Sequence, residues 1–169
     1  GLHCYDFAGK LLWSRDFGKV DHMWGYGSSP VFHGEHVLLN VGPGDQTFLV
    51  ALDRKTGKVV WKAEEPGGKS KEWVGSWCTP RIVSIAGKER ILVAWPNHVK
   101  AYDPATGKEV WRCEGMGKLV YADVAVDNGI AFEGFPWNFF VHNWNEIRVP
   151  WLRREPIERL RVLPSEEID

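Results

Sequence analysis

His33 and His36 stand on either side of Gly34-Glu35, a spacing that sets two imidazoles opposite each other across a two-residue turn and offers ring nitrogens to a metal. A closed site needs further ligands, and Ala86 and Asp127 lie near the corresponding places of the other repeats, so a solvated turn is the better reading. Asp21, His22 and Ser28 are the residue types of a nucleophile set, but no strand–turn–helix elbow surrounds them and acyl transfer is not expected. Cys4, Cys78 and Cys113 cannot all pair within the chain and lack the close spacing of a zinc or redox motif. A structural role is expected for each, and Cys4, standing where the repeats below place Ala51 and Ala101, reads as a small buried side chain.

The glycine-rich stretch VGPGDQT (41 to 47) lacks the Gly-Lys-Ser/Thr ending of a phosphate loop and opens no helix, so it reads as a hairpin loop. Asp and Glu fall mostly in turns and on exposed edges, and no general acid and base pair can be named. A formal net charge of −1 lacks the clustered basic excess that nucleic acid or an anionic membrane surface calls for. The apolar runs, such as Ile91 to Trp95, are too short to cross a bilayer, and residues 1 to 20 are not laid out as a signal peptide. The chain starts without Met and already inside a repeat, so an upstream part is expected.

These residues are positioned by a repeat. The stretches CYDFAGKLLWS (4 to 14), ALDRKTGKVVWK (51 to 62) and AYDPATGKEVWR (101 to 112) place Trp13, Trp61 and Trp111 at intervals of 48 and 50 residues, and Asp6, Asp53 and Asp103 at 47 and 50. Each copy reads as a hairpin corner. The Asp accepts hydrogen bonds from backbone N–H groups two or three residues on, and Gly57 or Gly107 supplies the positive φ that rejoins the ladder, as in a type I turn with a bulge. Between the corners, residues 28 to 42, 78 to 95 and 122 to 134 read as strand, turn, strand, with turns at Gly34-Glu35, Gly87-Lys88 and Asn128-Gly129. A unit is four antiparallel strands in about fifty residues, the spacing of a β-propeller blade. One indole per blade, burying on the order of 200 Å², fills the gap between stacked sheets.

The expected fold is therefore all-β, a propeller fragment of about three four-stranded antiparallel blades. It comprises the outer half of a blade (1 to 13), two full blades (28 to 62 and 78 to 112) and an inner half (122 to 134). Closed rings carry four to eight blades, so this chain is expected to be one piece of a longer product, with open edges prone to association. From Phe135 the register is lost. Residues 135 to 169 form a divergent, aromatic-rich segment in which REPIERLRVL reads as a short helix with Pro156 in its first turn. Two readings of this segment stand: a cap over the exposed blade edge, or a sequence altered at the end of an incomplete gene.

Propellers bind at one mouth of the ring, on the loops that enter the inner strands. Here those loops are residues 21 to 30, 71 to 80 and 116 to 123, and the candidate ligand- or partner-binding residues on them are His22, Trp24, Tyr26, Ser28, Trp73, Ser76, Trp77 and Tyr121. Aromatic rings beside glycines and hydroxyls suit a planar ligand or a peptide segment. The alternative is that each aromatic packs between blades.

The motif Asp-x-x-Thr-Gly-Lys-x-x-Trp at 53 to 61 and 103 to 111, each reached after an inner Ser/Thr-Pro strand, resembles the repeat of the PQQ-like (pyrroloquinoline quinone) propellers. These include quinoprotein dehydrogenases and BamB-type outer-membrane assembly lipoproteins, and the resemblance covers residues 1 to about 134. It marks a fold more than a function. One implied role is a noncatalytic binding or scaffold module that holds a protein partner or ligand, needs no cofactor or metal, and is completed by further propeller blades. The other is a piece of a PQQ-dependent dehydrogenase, which implies PQQ above a calcium ion held by acidic and amide side chains, a catalytic Asp, and adjacent cysteines. No Cys-Cys pair occurs here, and Asp21, Glu72 and Asp123 are the entry-loop carboxylates available. A sensor domain attached to a kinase or transporter is a third. The resemblance implies an extracytoplasmic bacterial home.

Overall fold

The computed structural model describes residues 1–20, 22, 24–44, 46–65, 74–85, 87–114, 117–127, 130–132 and 162–164. They form strands and connecting turns. The strands β1 (Leu2–Tyr5) and β2 (Leu11–Arg15) make an isolated hairpin. The strands β3 (Val31–His33), β4 (His36–Val41), β5 (Thr47–Asp53) and β6 (Val59–Glu65) form a four-stranded antiparallel sheet in sequence order, the first full blade. After the short β7 (Gly75–Ser76) come β8 (Arg81–Ile85), β9 (Lys88–Trp95), β10 (His98–Tyr102) and β11 (Glu109–Glu114), the second blade. The short β12 (Leu119–Val120) precedes the hairpin of β13 (Ala125–Asp127) and β14 (Ile130–Phe132), and β15 (Val162–Pro164) adds to the outer edge of β11.

Both faces of the first blade are covered, which explains why alternate positions of its central strands are equally apolar. In β4 and β5, Val37, Leu39, Val41, Phe48, Val50 and Leu52 form one buried cluster against Leu2, Trp13 and Phe17, while Leu38, Leu49 and Ala51 face the second blade and join Leu92, Ala94 and Ala101. The corners repeat in detail. Asp53 Oδ1 accepts the N–H groups of Lys55 and Thr56 and the Thr56 hydroxyl, and Asp103 Oδ1 does the same for Ala105 and Thr106. Gly57 and Gly107 have φ of 64° and 69°, and a bulge follows where the ladder resumes.

The corners at Asp53 and Asp103 each receive an indole from the preceding repeat. Trp13 Nε1 donates to the Arg54 carbonyl at 2.9 Å and Trp61 Nε1 to the Pro104 carbonyl at 3.0 Å. A Cβ on Gly57 would lie 2.5 Å from Trp13 Cε3, so only glycine fits beneath the ring. Trp61 is buried; Trp111, at the last described corner, is half-buried in the second blade's core.

Several expectations change. The fourth strand of the first blade runs past Trp61 to Glu65. Ile85 pairs with Lys88, so Lys88 belongs to a strand and not to the turn. Val162 and Leu163, the end of the stretch expected to be helical, are strand, because they extend the β11 ladder; the rest of that stretch lies outside the described residues. Cys4 is half-buried where Ala51 and Ala101 are fully buried; among the described residues no further strand pairs with its hairpin. Among the described residues no helix is long and apolar enough to cross a membrane.

Candidate functional site

The entry loops are tied into one surface by a ladder that crosses from blade to blade. β7 and β12 pair in parallel, with Gly75 N–H donating to Lys118 O at 3.0 Å and Trp77 N–H to Val120 O at 2.8 Å. Just beyond, Ser29 N–H donates to Thr79 Oγ1 at 3.3 Å, and Thr79 N–H donates to the Asp123 carboxylate at 2.6 Å. Equivalent positions of three successive loops are thus linked, each backbone donor satisfied by the next loop's side chain. Lone dipeptide strands carry no periodicity, so nothing in the sequence marks β7 or β12.

On this frame four of the candidate residues meet. Trp77 is the floor: 8% exposed, stacked on Tyr121 with centroids 5.0 Å apart and planes at 20°, and edge-on to His22 at 4.9 Å. Its Nε1 donates to Gly25 O at 3.0 Å, and a Cβ on Gly27 would lie 3.0 Å from its ring. Trp24 packs against Trp77, Tyr121 and His22 at 5.7, 5.9 and 5.3 Å. It is 41% exposed and Tyr121 39%, so the two form the accessible side of a fixed aromatic platform. Such tilted and offset contacts are the favourable arrangements of aromatic quadrupoles.

The other candidates divide. The Tyr26 hydroxyl donates to Asn40 O, leaving part of the ring exposed, and burial pushes its pKa well above the usual phenol range, so it remains a neutral donor. Burial likewise raises Tyr121. Ser28 is buried, and Ser76 is fully buried. Ser76 Oγ donates to Ala94 O at 2.6 Å and accepts from Asn40 Nδ2 at 3.2 Å and Cys78 N–H at 3.3 Å. With its proton and both lone pairs engaged, Ser76 holds the loop to the second blade and has nothing to offer a ligand. Trp73, Asp21 and Glu72 lie outside the described residues.

His33 and His36 do pair across their turn, but His33 Nε2 meets Glu89 Oε2 at 3.0 Å. No group of three or more His, Cys, Asp or Glu side chains able to hold a metal occurs among the described residues.

Sequence reasoning missed a buried charged cluster between the blades. Glu65, 7% exposed at the end of β6, accepts from Lys100 Nζ at 2.7 and 2.9 Å and from the Tyr102 hydroxyl at 2.5 Å, with His98 Nε2 at 3.7 Å. Lys100 also reaches Glu109 at 3.0 Å, and Trp95 Nε1 donates to the Tyr102 hydroxyl at 2.7 Å. Burial alone would raise the Glu65 pKa; the nearby His98 ring, hydrogen bonds from Lys100 and Tyr102 and the Lys100 charge hold it below the usual carboxylate value. Tyr102 is driven well above the phenol range by burial and by the adjacent Glu65 charge. The arrangement pairs opposite charges from the two blades.

Comparison with known proteins fits this geometry. A family model described as outer membrane protein assembly factor BamB matches residues 1–134. The lanthanide-dependent methanol dehydrogenase of Methylorubrum extorquens is similar, 36% identical over 78 residues, which is 42% of this chain and 12% of that protein. The chain therefore spans a small part of that relative's length.

Proposed function

The chain belongs to the propeller family described as outer membrane protein assembly factor BamB, and on that premise we propose that it is a noncatalytic binding module acting outside the cytoplasm. The observation that carries the reading is the platform of Trp24, Trp77, Tyr121 and His22, fixed by inter-blade hydrogen bonds and open on one side. A rigid aromatic surface beside backbone-rich loops holds an extended segment of a protein partner with little ordering cost, since each ring is already immobilised. The indoles seated on the glycine corners serve the same end, because they prevent neighbouring loops from shifting relative to one another.

A second reading is favoured by the stretch similar to the methanol dehydrogenase: a segment of a PQQ-dependent enzyme. The rings would suit one face of a planar quinone. Of the carboxylates available for its cation, Asp123 accepts from Thr79 N–H, while Asp21 and Glu72 lie outside the described residues. No chemical step is derived through that group.

An array of extended peptides probed with the wild-type chain and with Trp24→Ala/Tyr121→Ala tests the proposal. Loss of binding by roughly tenfold or more in the variant, with unchanged melting, is expected for residues that dominate an interface. Equal binding by both chains would contradict it. Saturable quenching of tryptophan fluorescence by PQQ with calcium, unmatched by any peptide, would favour the second reading.

A further inference from the structure

The interfaces on the two sides of the first blade share one plan and carry opposite chemistry. Register fixes the correspondence. Ala51 pairs with Trp61 as Ala101 pairs with Trp111, so Phe48, Val50 and Leu52 hold the places of His98, Lys100 and Tyr102, while Val59 and Lys62 hold those of Glu109 and Arg112. Four residues beyond Trp61, β6 presents Glu65 to His98, Lys100 and Tyr102. Four beyond Trp13, the chain presents Phe17 to the apolar trio, edge-on to Phe48 with ring centroids 5.8 Å apart.

In the second interface the cations are answered from within. Lys100 meets Glu65 at 2.7 Å and Glu109 at 3.0 Å, and Arg112 holds Glu109 through Nε at 2.6 Å and Nη2 at 3.0 Å. In the first interface Phe17 and Val59 stand where those two acids stand. A groove of about 350 Å³ lies there, floored by Phe17, Phe48, Val50 and Val59 and walled by Arg15 and Lys62. Arg15 Nε donates to Gly57 O, and the Lys62 ammonium lies 3.8 Å from the centre of the Phe48 ring and 2.6 Å from Glu64. Asp16, the acid among the lining residues, accepts the Gly18 N–H at 3.0 Å within its own loop.

Beyond the proposed function, and independent of what the mouth platform holds, we propose that this groove binds a small carboxylate with an apolar tail, a medium-chain alkanoate. The ligand's carboxylate takes the part that Glu65 and Glu109 play one blade later and meets Lys62 and Arg15. Its tail covers Phe17 and Val59, the latter 53% exposed. The volume is that of a small-ligand site, about 300 Å³ or more. An ion pair formed beside an aromatic face and an apolar floor is stronger than one in bulk water, because the local dielectric is lower. The Lys62–Glu64 pair is exposed and competes weakly.

Octanoate titrated into the chain by calorimetry is the test, with octanamide as the uncharged control and octylammonium as the cationic one. Saturable octanoate binding at or below about 1 mM is expected, within reach of a ligand of about ten non-hydrogen atoms. Octanamide should bind more weakly by roughly threefold to fivefold, the worth of one half-exposed charge pair, and octylammonium more weakly still. Lys62→Gln, at an exposed position, should weaken octanoate to the same extent and leave octanamide unchanged. Phe17→Glu writes the acid of the second interface into the first and should abolish octanoate binding; where it fails to fold, Lys62→Gln decides alone. Trp24→Ala/Tyr121→Ala should bind octanoate as the wild type does, which separates this groove from the mouth platform. No octanoate binding up to about 10 mM, equal binding of octanoate and octanamide, octanoate affinity indifferent to Lys62→Gln, or binding lost in the platform variant overturns the proposal.

Discussion

The indole of Trp61 lies directly on Gly107 of the next blade: a Cβ built on that glycine would sit 2.7 Å from Cδ2 of the ring, and the same indole donates to Pro104 O at 3.0 Å. Trp13 and Gly57 repeat the relationship one blade earlier. Positive φ and a ring overhead therefore act together at Gly107, whereas Gly34 has positive φ (54°) with nothing within 4 Å of its Cβ position. Gly34→Ala should cost about 1 kcal/mol, the backbone term alone. Gly107→Ala should cost about 3 kcal/mol because overlap is added. Urea denaturation of both variants measures the difference.

Acid should loosen the blade interface. Glu65 has a folded pKa below its unfolded value of about 4.3. Its contribution is present above that unfolded value and is lost as pH falls through the lower folded one. Asp53 and Asp103, depressed by the Thr56 and Thr106 hydrogen bonds, act with the same sign. Glu65→Gln should flatten the decline in stability below about pH 5 and cost about 3 kcal/mol at neutral pH, since Lys100 is left with Glu109 alone. Melting temperature as a function of pH, wild type against variant, checks both.

The two tryptophans of the platform should separate. Trp77 is a floor and Trp24 a rim. Trp77→Ala should cost about 3–5 kcal/mol of stability. Trp24→Ala should leave stability within about 1 kcal/mol while abolishing peptide binding. Equal destabilisation by the two would place Trp24 in the core.

Much of the fold is legible in the sequence because corners are local. An Asp, a Thr and a Gly within five residues fix a turn through hydrogen bonds of short sequence separation, and the tryptophan that follows marks the strand on the far side. The site is less legible, since its parts come from different repeats. Trp77 and Tyr121 stand 44 residues apart, and their stacking depends on a parallel pairing of two-residue strands. Ser76 reads as a loop hydroxyl and proves to be buried glue because Asn40, from the preceding blade, lies against it. Glu65 reads as an exposed carboxylate because its partners Lys100 and Tyr102 sit in the next unit.

The claim on which the rest depends is that the tryptophan of one blade rests on the glycine corner of the next, and a double-mutant cycle between Trp61 and Gly107 addresses it directly. If the ring and the glycine are in contact, Gly107→Ala should cost only about 1 kcal/mol in a Trp61→Ala background, where the added methyl group enters vacated space. An undiminished cost in that background would contradict the account.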